Sequence, residues 1–501
     1  MKKILFAAIA IIIGTTATAQ QPDAIYKLLR YEWTVNADGT TDYHYRHEVQ
    51  ILRNRALTAY ADKGETFVVY NPDIEELTVN EVYTIQKDGT RVNMPQNAFV
   101  YQLPSECANC GRFNHIRELA MVHTGMELGC TIIVDYTIHR RYNFLHESIP
   151  LKRDCPVETL EVLVKYNHDD MDLHYAIDGS QNLQMDDKDV TRSESINTDN
   201  NSRVLHYTFK NLQQAPREPY MPADIIPVLR LYNGTPEFTV ADSGKPFDEA
   251  ADAMGKVQGK GGVLEQVTAM RNYIVDNIHL NDLKPATVGY TVASPAETWN
   301  TGCGTAADKA ALLAAILSAE SYQASVCGEN MDMVSVIIDT LEYRVDVRSK
   351  APIHIYGEAH DEVVTREADI TTTDTEFDTL QDGFFRLELS PIPGAPAVNA
   401  SKLSLTRTTP LQSSACDLSQ TDTYILPKGM KLMGSVNDKL SFDGVGSMQV
   451  TVKQSGNKLK VVRKLKLEKS LVPVSDYANY RKLIAAWQSH DSVMLRMKGM
   501  K

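Results

Sequence analysis

The chemistry this chain could do is clearest around residues 301–317. The run from Gly304 to Leu317 has the spacing of a buried helix, with Leu312, Leu313, Ile316 and Leu317 on its apolar positions. A thiol at the start of such a helix is acidified by unsatisfied backbone N–H groups and the helix dipole, and the same N–H groups can hold an oxyanion. This helix opens instead near Ala306, whose methyl group can use none of that, and the nearest thiol is Cys303 in Thr301-Gly302-Cys303-Gly304. Cys303 could act if its loop curled back, and it would then need a general base. His354 and His360, in Pro352-Ile353-His354-Ile355-Tyr356-Gly357-Glu358-Ala359-His360, are the available imidazoles. The blander reading, a small buried loop cysteine and a surface pair of histidines, is preferred.

A second thiol motif is Cys107-Ala108-Asn109-Cys110. It could be a redox pair, or half of a metal site with His115 and His123 downstream. Because Pro104 to Asn114 reads as a loop between strands, a local loop disulfide or inert thiols is the first expectation. Cys107, Cys110, Cys130, Cys155, Cys303, Cys327 and Cys416 make seven cysteines, and an odd number leaves at least one unpaired in a monomer. Their connectivity cannot be read from spacing.

The segment Gly304-Thr305-Ala306-Ala307-Asp308-Lys309-Ala310-Ala311-Leu312-Leu313 resembles the Gly-x-Cys-x-x-x-Ala-x-Leu-Leu motif of the transglutaminase-like superfamily, with Ala306 where the nucleophile would stand. The resemblance extends to Met333-Val334-Ser335-Val336-Ile337-Ile338-Asp339 and Tyr343-Arg344-Val345-Asp346, which sets Met333 at the base and Asp346 at the orienting acid. It implies a degenerate triad, no catalytic residue and a non-catalytic, papain-like α+β core. Gly64 to Pro72, Asn114 to Glu118 and His123 to Gly129 resemble a bacterial domain of unknown function that precedes such cores. Ile425 to Leu432 and the final helix resemble the C-terminal domain that accompanies them. Proteins of this arrangement are often labelled proteases by resemblance.

Those residues sit in a chain long enough for about three domains. Lys2 and Lys3, the apolar run Ile4 to Ile13 and Ala17-Thr18-Ala19 read as a secretory signal peptide over 1–19, cleaved near Ala19, so the mature chain is expected in the periplasm or outside the cell. No later run has the roughly 18 apolar residues of a spanning helix, so no membrane span is expected. The net charge of −13, without a basic cluster, argues against nucleic acid and anionic lipid. No cofactor and no metal are expected. The partners left are protein, peptide or glycan of the cell envelope.

The expected fold is multidomain and mainly β with an α+β centre. A β-sandwich over 20–225 has hairpin turns at Asp38-Gly39 and Asp88-Gly89, and Tyr43, Tyr45, His47, Val49 and Ile51 on one strand face. His47 reads as an edge or partly buried residue. Pro216, Pro219, Pro222 and Pro227 mark a linker or clasp. The transglutaminase-like core is placed at 245–390, with Val263, Val267, Met270, Ile274 and Ile278 as a helix stripe packing on the Ala306 helix. Trp299 and Tyr343 could line a cleft there. A sandwich-like β-domain over 397–501 ends in a helix capped by Ser475, with Tyr477, Tyr480, Ile484 and Trp487 on one face.

Overall fold

The structure is a computed structural model. It describes residues 22–497 except 64–65, 168–170, 180–189, 198–201, 223–224, 235–236, 242–246, 249, 256, 258–261, 351–352, 357–362 and 374–375. The expected leader and His360 lie outside the described residues.

The chain is mainly β and divides into three packed units. In the first, β1 (Ala24–Val35) and β2 (Thr41–Ile51) form a hairpin. Gly39 supplies a φ of 84°, and the Asp38 carboxylate accepts the Thr40 N–H, the chemistry an Asp-Gly turn uses. Then come α1 (Asn54–Lys63), β3 (Phe67–Tyr70), β4 (Glu75–Ile85), β5 (Arg91–Asn93), β6 (Phe99–Gln102) and β7 (Arg117–Met121). After them lie β8 (Thr131–Arg140), β9 (His146–Pro150), β10 (Val157–Asn167), β11 (His174–Asp178), β12 (Val190–Asn197), β13 (Ser202–Leu212) and β14 (Val228–Tyr232). One large sheet runs β12-β13-β10-β1-β2-β8-β4-β5, antiparallel except where β1 meets β10. Two small sheets, β11-β14-β9 and β3-β7-β6, bury Leu229, Ile149, Val68 and Leu119 in the same core as Leu29, Ile132 and Val162.

Two expectations change here. β2 is interior, between β1 and β8, so His47 is fully buried rather than at an edge. The Pro-rich stretch is a clasp rather than a boundary. Glu218 accepts the Thr408 and Thr409 N–H groups and Arg407 donates to Pro219 O, after which β14 returns to the first unit. That unit therefore continues past residue 225.

The centre holds β15 (Thr239–Val240), α2 (Ala250–Gly255), α3 (Val263–Asn277), β16 (His279–Leu280), β17 (Thr291–Val292), α4 (Pro295–Thr301), β18 (Cys303–Gly304) and α5 (Ala306–Ala319). An antiparallel sheet of β19 (Gln323–Cys327), β20 (Met333–Ile338), β21 (Leu341–Asp346) and β22 (His354–Ile355) packs on α5. Val267, Met270 and Ile274 of α3 pack on α5 as their spacing requires, while Val263 is exposed. Almost the whole of α5 is buried, including Asp308 and Lys309.

The last unit begins earlier than residue 397. Val364–Thr372 pairs in parallel with Cys416–Ile425, in a five-stranded sheet completed by Lys458–Leu467, Gly446–Ser455 and Val436–Phe442. Phe384–Glu388 pairs with the final strand, Ser492–Met497. Helix α6 (Tyr477–Gln488) buries Tyr477, Tyr480, Leu483 and Ile484 against this unit's core. Its first cap position is Asp476, not Ser475; the Ser475 hydroxyl donates to the Asp476 carboxylate instead. No described helix is long and apolar enough to cross a membrane.

Because α5 is the axis of the centre, Leu312→Ala should lower stability by about 2–5 kcal/mol. Urea unfolding followed by circular dichroism measures it, with the exposed Leu405→Ala expected to shift stability by no more than about 0.5 kcal/mol.

Candidate functional site

Helix α5 begins as the motif requires. Thr305 is the cap residue, its hydroxyl accepting the Asp308 N–H at 3.3 Å while Asp308 Oδ2 accepts the Thr305 N–H at 2.7 Å, a reciprocal capping box. Ala306 occupies the first helical position and is buried. The space in front of it is lined by Phe238, Leu283, Pro285, Val288, Ala307 and Arg348 and amounts to about 10 Å³, room for about one water.

Met333 and Asp346 are register partners on β20 and β21. The Asp346 carboxylate caps the turn after its strand, accepting the Arg348 N–H and the Ser349 hydroxyl, each at 2.8 Å. With both oxygens so used it serves local structure. Lys309, one turn along α5, is buried and donates from Nζ to Ile278 O at 2.9 Å. Burial pushes its ammonium down to about 8, against the opposing pull of Asp346 and Asp276.

The thiols arrange themselves differently from the expectation. Cys110 is bonded to Cys303, closing 193 residues and joining the first unit to the centre, so the Cys107–Cys110 loop disulfide does not form. In this state Cys303 has no thiolate and Cys110 cannot ligate a metal. Cys107 is free and buried in the same apolar cluster, its thiol pushed up to about 11 by desolvation. His115 Nδ1 lies 3.1 Å from Arg112 O, and desolvation drives His123 down to about 3. Among the described residues no three His, Cys, Asp or Glu form a metal-binding group. The backbone of His354 lies on edge strand β22, opposite Arg344.

Around the disulfide the two units are tightly joined. Arg112 reaches from the first unit to within 2.9 Å of Asp308, whose other oxygen accepts the Ala293 N–H at 2.6 Å. Asn281 Nδ2 donates to Glu106 O, and Asn71 Nδ2 to Thr287 O. Trp299 stacks on Tyr273 and meets Phe247 edge-on, a packing role. The larger openings lie elsewhere, where the first unit's sheet faces the loop 284–290. Two adjoining cavities lie there: one of about 310 Å³ walled by Tyr31, Trp33, Tyr43, Tyr45 and Tyr136, and one of about 480 Å³ that shares Tyr43 and Tyr136 with it. Sequence reasoning placed Tyr43 and Tyr45 on one face but had no signal that β1, β2 and β8 would gather three sets of rings.

Residues 37–216 match a family described as a domain of unknown function with solved structure, DUF3857, and residues 386–495 match a second so described, DUF3858. No curated protein matches the chain. A solved structure from Parabacteroides distasonis, named a "putative protease", is similar over 95% of this chain and 99% of its own, with 23% identity and a TM-score of 0.72. That likeness is one of fold. An M1 zinc metallopeptidase from Deinococcus radiodurans, at 12% identity over 55% of this chain and 57% of its own, has a TM-score of 0.19 and carries no argument.

Two outcomes follow from this geometry. Denatured without reductant, the protein should take up five iodoacetamide labels, with Cys110 and Cys303 protected, and seven after reduction; Cys303→Ser should cost on the order of 2–4 kcal/mol, read from chemical unfolding. For Lys309, the folded group sheds its proton near 8 whereas the unfolded one holds it to about 10.5, so the unfolded state binds more protons in between. Compared with Lys309→Met, the native protein should therefore gain stability from pH 8 to 10, by on the order of 2 kcal/mol, in unfolding curves taken at each pH.

Proposed function

We propose that this protein is an exported binding or scaffold module of the periplasm or cell envelope, built on a transglutaminase-like, papain-like core that performs no catalysis and carries sandwich-like outer domains. The observation that carries this reading is the state of the α5 N-terminus. Ala306 stands where a nucleophile would emerge, the nearest thiol is tied to Cys110, and Met333 rather than an imidazole faces Asp346. Acyl transfer through a cysteine needs a thiolate and a proton acceptor together. The backbone N–H groups that would stabilise an oxyanion face a space the size of one water. Binding needs none of these groups, and a protein, peptide or glycan of the envelope is the class of partner consistent with the chain's acidity and leader.

The second reading, a cysteine peptidase or acyltransferase, is favoured by the protease name of the Parabacteroides protein. It requires the Cys110–Cys303 bond to open, Cys303 to move and His354 or His360 to reach it. Incubation with a fluorogenic peptide library and with amine-acceptor acyl substrates, before and after reduction, tests both. No turnover above the Cys303→Ser background is expected in either state; turnover after reduction that Cys303→Ser abolishes would establish the enzyme and reject the binding module.

A further inference from the structure

The cleft between the first unit's sheet and the loop 284–290 is built from two units of the fold and is not used by the degenerate triad. Its inner wall is a run of rings on the interior strands β1, β2 and β8. Trp33 stacks on Tyr31 at 6.1 Å and on Tyr43 at 5.2 Å, and Tyr45 meets Tyr136 at 5.1 Å between centroids. Phe67 of β3 and Lys284 of the central unit line both cavities. The loop is held in place by the Asn71–Thr287 bond and by Tyr290, which meets Phe144 edge-on.

Most of the charge on this wall is paired, and Arg153 and Lys284 add two further cations to it. Arg140 lies 5.0 Å over the Tyr43 ring, donates to Glu147 at 2.7 Å and sits 3.4 Å from Glu75, and Arg230 pairs with Glu329 at 3.1 Å. Trp33 is 1% exposed, lines the smaller cavity, and its Nε1–H has no hydrogen-bond partner. A buried donor of this kind costs stability unless a ligand accepts from it. Cavities of about 300–1,000 Å³ with apolar walls and a few placed polar groups are the usual form of small-ligand sites.

We propose that this cleft binds an oligosaccharide. The proposal rests on the binding-module reading and supplies its ligand class. A pyranose presents apolar C–H faces that pack on rings and a rim of hydroxyls that both donate and accept, so it can bridge Arg140, Glu75 and Glu147 without breaking their pairing. An acyl chain would bury those charged groups against hydrocarbon with nothing returned. A cationic ligand would meet Arg140, Arg153 and Lys284 lining the same space. Strands β1, β2 and β8 are each paired on both sides, so they offer no free edge on which an extended peptide could add.

The test titrates the full mature chain with chitohexaose, cellohexaose, xylohexaose and mannohexaose, followed by calorimetry and by the fluorescence of Trp33 in a background of Trp299→Phe and Trp487→Phe. At least one saccharide should bind saturably and quench Trp33. Tyr43→Ala and Phe67→Ala should each weaken that binding at least tenfold while the exposed Lys284→Ala and Tyr356→Ala variants stay folded, Lys284→Ala with weakened binding and Tyr356→Ala with none of the loss. Melting curves separate unfolding from lost contact, and Phe67, only half-buried, serves if Tyr43→Ala does not fold. If no saccharide binds the folded protein, or if binding ignores all three cleft substitutions, the ligand assignment is wrong. Binding of neutral or acidic octapeptides that depends on Tyr43 and Phe67 would overturn the saccharide and leave the binding module standing. Cleavage or acyl transfer on any of these probes would overturn the module itself.

Discussion

Asp308 is the group on which the middle of this protein depends. Its carboxylate has no exposure to solvent, and burying a charge so completely is tolerable only when donors surround it. Here the N–H donors are Thr305 at its own helix start and Ala293 from the segment before α4, and the Arg112 guanidinium of the first unit supplies the counter-charge. One side chain thus caps α5, fixes the preceding loop and draws in a neighbouring domain. Gly304 has to be glycine for this to fit, since a Cβ there would lie 2.8 Å from Asp308 Cβ and 3.0 Å from its Oδ2.

The same arrangement sets what stands at the helix start. A helix N-terminus that serves an acyl transfer must offer its free N–H groups and a nucleophile to an incoming substrate. In this chain that end is occupied from within: Asp308 takes the cap, Ala306 offers only a methyl, and the Cys110–Cys303 bond holds the first unit over it. The Asp346 carboxylate is engaged by the Arg348 N–H and the Ser349 hydroxyl in the turn after its strand. Rigid attachment of the first unit has a further effect, because it brings the loop 284–290 against the ring-lined sheet face and so creates the cleft.

Local chemistry was legible in the residues themselves. Asp38-Gly39 and Asp88-Gly89 form their turns because glycine alone tolerates the left-handed backbone cheaply, with φ of 84° and 90°. The Val267, Met270 and Ile274 stripe and the α5 register follow from helical periodicity, as do Met448, Val450 and Val452 from the alternation of a strand. Ala306 at the first position of α5 follows from the same short-range spacing. The positions 225 and 397 misplace the unit boundaries for a reason of the same kind. β14 and Val364–Thr372 are short strands whose partners lie far along the chain, at β9 and β11 and at Cys416–Ile425.

What the residues decided alone is therefore most of the elements and the absence of a thiol at the head of α5. Only the tertiary structure decided which cysteine meets which, that Arg112 answers Asp308, and that rings from β1, β2 and β8 share a wall. The physical reason is that helix and turn formation are governed by contacts within a few residues, whereas a disulfide spanning 193 residues, a buried ion pair and a cleft depend on how separate sheets dock. Docking is chosen by the summed burial and pairing of many distant side chains, and no single stretch of sequence contains that sum.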